Sequence, residues 1–218
     1  MIAASLKDHI ESYAARSRTE NALFRGAEEG TLRPSHVALY LANVREIVLH
    51  TPVYLARARD VAERRGREDL AAHYARRLGE EVGHDQWAER DLRALRDAPR
   101  ERPILPSTRA LLAWLAEVID EDPALYLAYI LFAEYLVVLL GPDWLARLEA
   151  CCGIPKGAMT VIGNHAELDR DHVATSLPEI DRLVDDPTRF PALRAVLERS
   201  IAHFETFSRE VTSHAEPS

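Results

Sequence analysis

The stretch that decides the fold is ALYLAYILFAEYLVVLL, residues 124–140, in which Glu134 is the single charged side chain. A run of this length is at the short end of what crosses a bilayer, and a carboxylate near the middle of a membrane span is costly. We therefore expect the buried core helix of a soluble helical bundle. Large apolar residues surround Glu134 on that helix, so burying its carboxylate requires a paired charge, a bound proton or a metal ion.

Outside this stretch, the chain has the composition of an acidic globular protein. It has 218 residues, 47% of them hydrophobic, and 27 basic against 35 acidic residues give a net charge of −8. This length predicts one domain over residues 1–218, and the acidic balance argues against nucleic acid as a partner. Cys151 and Cys152 are adjacent and cannot form an ordinary disulfide. With no signal peptide apparent, we expect a cytoplasmic protein with no membrane partner.

The whole chain has the pattern of an all-α protein. Apolar residues recur at helical spacing between clusters of glycine and proline, and no alternating run of strand length stands out. We predict a single-domain bundle of seven or eight helices. The expected ranges are 2–29 with a break near 17–19, 34–66 with a kink at Thr51–Pro52, 67–97, 108–119, 123–141 ending at Gly141–Pro142, 143–151, 156–184 and 187–213.

The most specific motif for chemistry is HAELDRDH, residues 165–172. On a helix that advances about 100° per residue, His165, Asp169 and His172 lie within about 60° of one another over two turns. Two imidazoles and a carboxylate on one face suit a divalent transition metal such as iron. The alternative is a polar helix face exposed to solvent.

A second motif is EEVGHDQW, residues 80–87. Glu81 and His84 have the Glu-x-x-His spacing with which di-iron carboxylate bundles direct one carboxylate and one imidazole toward a shared core. This spacing is also common on helix surfaces, so an ordinary surface pair is the alternative. Glu80 lies four residues before His84 and is a competing choice for the carboxylate ligand.

Glu46, on the second predicted helix, completes the candidate set, with His50 four residues later as an alternative ligand on the same face. Four helices then supply four carboxylates and three imidazoles, a donor set that could hold two iron or manganese ions. We expect no catalytic side chain beyond the ligands and no organic cofactor. The predicted metal ligands are Glu46, Glu81, His84, Glu134, His165, Asp169 and His172.

The order Glu, Glu-x-x-His, Glu and His-x-x-x-Asp-x-x-His resembles the haem-oxygenase-like di-iron oxidases and oxygenases. This family includes a fatty-acid decarboxylase that forms terminal alkenes and a para-aminobenzoate synthase, and the resemblance covers residues 34–184. It implies a haem-oxygenase-like bundle that holds two iron ions per chain, with manganese as the other candidate metal and O2 as co-substrate. It also implies a biosynthetic small-molecule substrate, of amino-acid or acyl-chain type, that undergoes C–C cleavage or N- or C-oxygenation.

Two other functions are compatible with the same helical chain. One is a metal-independent enzyme similar to thiaminases or pyrroloquinoline-quinone synthase, which would not need all of these candidate ligands together. The other is a metal-binding bundle without turnover, because ligands alone do not establish catalysis. For any of the three, a homodimer is the expected assembly, since it is the commonest symmetric oligomer.

Overall fold

The computed structural model describes residues 1–95, 102–184 and 186–214, and within these ranges the secondary structure is helical, with no strand. This confirms the all-α prediction. The described part contains nine α-helices and three short 3₁₀ turns, at 123–125, 156–158 and 187–189. The α-helices are α1 (Ile2–Glu20), α2 (Ala22–Glu28), α3 (Pro34–Arg64), α4 (Glu68–Glu81), α5 (Asp85–Ala94), α6 (Pro106–Glu121), α7 (Tyr126–Cys152), α8 (Thr160–Leu183) and α9 (Phe190–Ser213).

Helix α7 contains most of the apolar stretch and is the central helix of the bundle. It packs against α8, α9, α1 and α2. By length and composition the segment Pro123–Cys152 could cross a membrane, but 72% of its most apolar window is buried inside the protein, as in the core helix of a soluble protein. Glu134 is 8% exposed within this helix.

The predicted end of this helix at Gly141–Pro142 is wrong. Helix α7 continues through both residues to Cys152 and ends at Gly153, whose φ of +66° is the left-handed conformation typical of a helix C-terminus. Gly141 serves a different purpose, since a Cβ at this position would lie 3.1 Å from the Cβ of Ala166 on α8. The glycine thus allows close helix packing, and the helix continues even though Pro142 cannot donate a backbone hydrogen bond.

The single helix expected over residues 67–97 is also wrong. Helix α4 ends at Glu81, and α5 begins at Asp85 after a junction in which Gly83 has a φ of +92°. Asp97, the expected last residue, lies outside the described residues. The other boundaries agree more closely: α3 is continuous through Pro52, and the first helical region divides at Asn21, whose side chain accepts a hydrogen bond from the Leu23 amide.

A buried carboxylate joins α5 to the start of α8. Asp91 is 1% exposed and accepts hydrogen bonds from Thr160 Oγ1 at 2.7 Å and from the Val161 amide at 2.8 Å. A carboxylate at this position satisfies an unpaired amide in the first turn of α8 and interacts favourably with the helix dipole. Asp91 therefore fixes α5 relative to the helix that carries HAELDRDH.

We expect Asp91→Ala to lower the free energy of unfolding by about 2 kcal/mol, because it removes a buried, charged helix cap. Asp171→Ala, which removes an exposed carboxylate from the same α8 helix, is the matched control and should change stability little. Urea denaturation of both variants measures the difference. Equal stabilities would contradict the assigned role of Asp91.

Candidate metal centre

Three helices and the turn between α4 and α5 bring five of the predicted ligands together in two groups. Glu81 ends α4, His84 precedes α5, Glu134 lies in α7, and His165 and His172 lie in α8. In the group formed by Glu81, His84 and His165, one donor atom from each residue lies within 4.8 Å of the other two. The same holds for the group formed by Glu81, Glu134 and His172.

Glu81 belongs to both groups and is 7% exposed. A carboxylate has two oxygens, so one glutamate can bind two metal ions, whereas each histidine offers a single lone-pair nitrogen. The two candidate donor groups therefore meet at one shared carboxylate. Separate mononuclear sites would not require a common ligand.

Hydrogen bonds at Nδ1 prepare two of the histidines to bind through Nε2. His165 Nδ1 lies 2.6 Å from the carbonyl oxygen of Val161, and His172 Nδ1 lies 2.9 Å from Asp169 Oδ1. Both partners are acceptors, so Nδ1 carries the proton and Nε2 keeps its lone pair. Histidine ligands in metal sites are commonly oriented in this way.

The electrostatics of the cluster keep Glu81 ionised. Burial raises the pKa of Glu81, but the hydrogen bond with His84 and the electrostatic interactions with His84, His165 and Arg77 outweigh it, so the net pKa lies below the ordinary value. The contact between Glu81 Oε2 and His84 Nδ1 measures 3.1 Å. An ionised carboxylate is the form that binds a metal ion.

Aromatic packing holds the first group in place. The rings of His84 and Trp87 stack with centroids 4.1 Å apart, and both rings make edge contacts with His165, at 5.1 and 5.4 Å. Trp87 therefore restricts two candidate ligands at once. No sequence spacing predicts the contact between Trp87 and His165, because it joins α5 to α8.

A feature missed by the sequence analysis is Arg77, which is 4% exposed beside the second group. Its guanidinium pairs with Glu134, lies 3.6 Å from Glu81 Oε1, and donates a 2.9 Å hydrogen bond to Glu80. The signal was available, since Arg77 precedes Glu80 and Glu81 by three and four residues on the same helix.

The remaining candidates lie outside the two groups. Asp169 is 2% exposed and contacts the metal-ligand candidate His172, so its own role as a ligand stays a prediction. Glu46 lies 3.6 Å from His50 Nδ1, and that nitrogen is 2.8 Å from the Glu46 carbonyl oxygen. Glu80 is 3.8 Å from His172 Nε2, with 39% of its side chain exposed. Among the residues that the structure describes, no such group includes Glu46, His50 or Glu80.

An apolar cavity of about 250 Å³ opens next to the cluster. Glu81, Glu134, His165 and Asp169 form part of its wall. The rest of the wall comes mainly from aliphatic and aromatic side chains of α3, α7 and α9. They include Val44, Ile47, Val48, Ile130, Val137, Phe204 and Phe207.

Two solved structures are similar to this chain over nearly its full length. One is a domain of unknown function with a haem-oxygenase-like fold from Shewanella denitrificans, at 17% identity, a TM-score of 0.83, and coverage of 95% of this chain and 90% of that one. The chain adopts the haem-oxygenase-like fold. The other is a TenA homolog from Pseudomonas syringae pv. tomato, at 18% identity and a TM-score of 0.71, covering 97% and 92%.

Comparison at the level of sequence gives no match. No family model matches the chain, and no curated protein matches it. At the identities of the two structures the likeness establishes the haem-oxygenase-like fold alone. The chemistry of the site therefore has to be argued from its own residues.

Two observations show that the residues present are suited to iron or manganese as ligands. The donor set is carboxylate and imidazole, which suits iron and manganese. In addition, Glu134 Oε2 is buried and has no hydrogen-bond partner among the described residues. Buried polar atoms are normally satisfied, so an oxygen left open beside His172 and Glu81 is suited to a ligand.

We expect Gly83→Ala to lower the free energy of unfolding by about 1–2 kcal/mol, because an L-residue is strained at a φ of +92°. The added Cβ itself meets nothing closer than 3.7 Å, so the effect is one of backbone conformation. The matched control is Gly79→Ala within α4, which meets nothing within 4 Å. That variant should gain about 0.5–1 kcal/mol from higher helix propensity.

Thermal denaturation of the two variants gives the comparison. Opposite signs for Gly83→Ala and Gly79→Ala are the expected result. Stabilisation by Gly83→Ala would mean that α4 and α5 form one continuous helix, in which case His84 would not have its described position relative to Glu81.

Proposed function

We propose that this protein is a non-haem di-iron oxidoreductase that uses O2 to oxidise a small molecule. The observation that carries the proposal is the pair of donor groups that share Glu81 beside an apolar cavity. The proposed biological setting is a biosynthetic reaction in the cytoplasm, carried out by a homodimer. The reaction type is C–C cleavage or N- or C-oxygenation.

Each part of the site has a defined task in this proposal. Glu81 would contribute to both metal positions, with His84 and His165 as the other ligands of one position and Glu134 and His172 as those of the other. When bound, two iron ions would supply electrons for the reduction of dioxygen, and manganese is the alternative metal. Asp169 holds the proton on His172 Nδ1 and so directs Nε2 toward the cluster.

The cavity favours an acyl chain over an amino acid as the substrate type. Its wall is mainly apolar away from the carboxylate and histidine cluster. A free amino acid carries two charged groups that would require matched charges along this wall, whereas an acyl chain carries a single polar head group. A hydrocarbon chain needs only apolar contacts, and at the same time it excludes water from the metal centre.

Anaerobic reconstitution with Fe(II) tests the metal centre. We expect about two iron ions per chain in the wild type, and O2 consumption when the loaded protein is mixed with air-saturated buffer. His172→Ala should lose one of the two ions while keeping its helical circular dichroism, because α8 is held by its packing on α7. Iron counting and an oxygen electrode give the two readouts.

His214→Ala is the matched control, since His214 is exposed after the end of α9. It should load iron like the wild type. If His172→Ala also loads like the wild type, the second donor group is misplaced. If folded wild-type protein takes up no iron at any concentration, the di-iron function is excluded. Iron uptake without O2 consumption would instead indicate a non-catalytic metal-binding bundle.

A second candidate function is a metal-independent enzyme on the same fold, in keeping with the similarity to the TenA homolog. The observation that favours it is the ion pair of Arg77 with Glu134, which balances the buried carboxylate without a metal. Under this function Arg77 and Glu134 stay paired, and the polar cluster serves proton transfer. Substrate turnover in the presence of a strong chelator would support this alternative.

The apolar cavity gives a test of the substrate type. Ala133 lies on α7, is accessible, and lines the cavity. We expect Ala133→Phe to weaken binding of a fluorescent fatty acid by about tenfold, because a ring that displaces two methylenes costs about 0.8 kcal/mol for each. Ala146→Phe, at an exposed position of α7 outside the cavity, is the control. Equal affinities of the two variants for the fatty acid would mean that its acyl chain binds outside this cavity.

A further inference from the structure

Arg77 is a buried cation in contact with more than one carboxylate. The guanidinium Nη2 pairs with Glu134 and lies 3.6 Å from Glu81, while Nη1 donates to Glu80 at 2.9 Å. Its Nε is buried and has no partner among the described residues. An arginine buried without carboxylate partners would be strongly unfavourable, so these contacts account for its position.

The contacts of Arg77 overlap with one donor group much more than with the other. Two of the three ligands in the group Glu81, Glu134 and His172 touch the guanidinium. In the group Glu81, His84 and His165, only the shared Glu81 does so, and the other two ligands are imidazoles. A metal ion that binds the open Oε2 of Glu134 in the second group would therefore lie beside the guanidinium that holds Oε1, and the two positive charges would repel each other.

We propose that Arg77 is a built-in counter-cation that a metal ion repels and displaces from Glu134, so that the two metal positions fill in order. This inference rests on the proposed di-iron function. The position formed by Glu81, His84 and His165 fills first. The position formed by Glu81, Glu134 and His172 fills second and more weakly, because binding there includes the cost of breaking the arginine contacts.

Glu80 gives the displaced guanidinium a place to go. It already accepts a hydrogen bond from Arg77, and 39% of its side chain is exposed, so the pair can move toward solvent without leaving a buried charge. The exchange keeps the charge around Glu134 balanced in both states. Without metal, the arginine neutralises the carboxylate; with metal, the ion does so and Arg77 stays paired with Glu80.

Equilibrium dialysis against Fe(II) under anaerobic conditions tests the inference. The wild type should show one strong and one weak binding constant. In Arg77→Met, which keeps much of the side-chain length and removes the charge, we expect the weak constant to tighten by about 5- to 150-fold, the usual range for coupled sites. The metal-free variant should also melt at a lower temperature, because Glu134 loses its counter-charge.

Arg76→Met is the matched control on the same helix, since Arg76 is 51% exposed and pairs with Glu179. It should bind iron like the wild type. Arg77→Lys, which keeps the charge but cannot hold several carboxylates at once, should give an intermediate constant, and it decides the question if Arg77→Met does not fold.

The outcomes separate the two proposals. An unchanged or weaker second constant in folded Arg77 variants overturns the displacement, while two bound ions would still support the di-iron function. Two equal iron-binding constants in the wild type that the Arg77 variants leave unchanged would also overturn the displacement and still support the di-iron function. If none of the proteins binds iron, both proposals fail.

Discussion

Glu134 is a carboxylate in the most apolar helix of the protein, and its charge must be balanced from neighbouring helices. Burying such a group without a partner is unfavourable enough that the surrounding structure has to supply one. Helix α4 supplies Arg77 and Glu81, and α8 supplies His172, so three helices meet at one point of charge. This clustering also accounts for the character of the cavity. The polar groups gather around Glu134, and the rest of the cavity wall is mainly apolar.

Much of the fold could be predicted because its strongest signals are local. The apolar run around Glu134 predicted the core helix, and the glycine and proline clusters predicted most helix boundaries. The helical spacing of His165 and His172 also holds in the structure, since α8 is continuous across them. Their predicted roles were based on residues that share one face of one helix, which is the kind of relation that a sequence displays directly.

The errors arise where tertiary packing decides the local conformation. Gly141–Pro142 has the composition of a helix end, yet the chain stays helical there and passes close to Ala166 of α8. Gly83 has the opposite effect: it divides a periodic segment, so Glu81 and His84 meet across a turn and not along a helix face. The ligand spacing thus gave the correct contact through the wrong geometry. Arg77 was missed because only metal donors were sought, although a buried cluster of carboxylates also needs a cation when metal is absent.

The turn at Gly83 also affects how the centre assembles during folding. Glu81 and His84 are separated by two residues, so bringing them together closes a very short loop and costs little chain entropy. Glu134 and His172 are distant in sequence and reach Glu81 only when α4, α7 and α8 have packed together. One part of the donor set is therefore available in a partly folded chain, and the other part is a product of the completed bundle. Occupation of either position would then report on packing of α8 against α4, because His165 completes the first position and His172 the second.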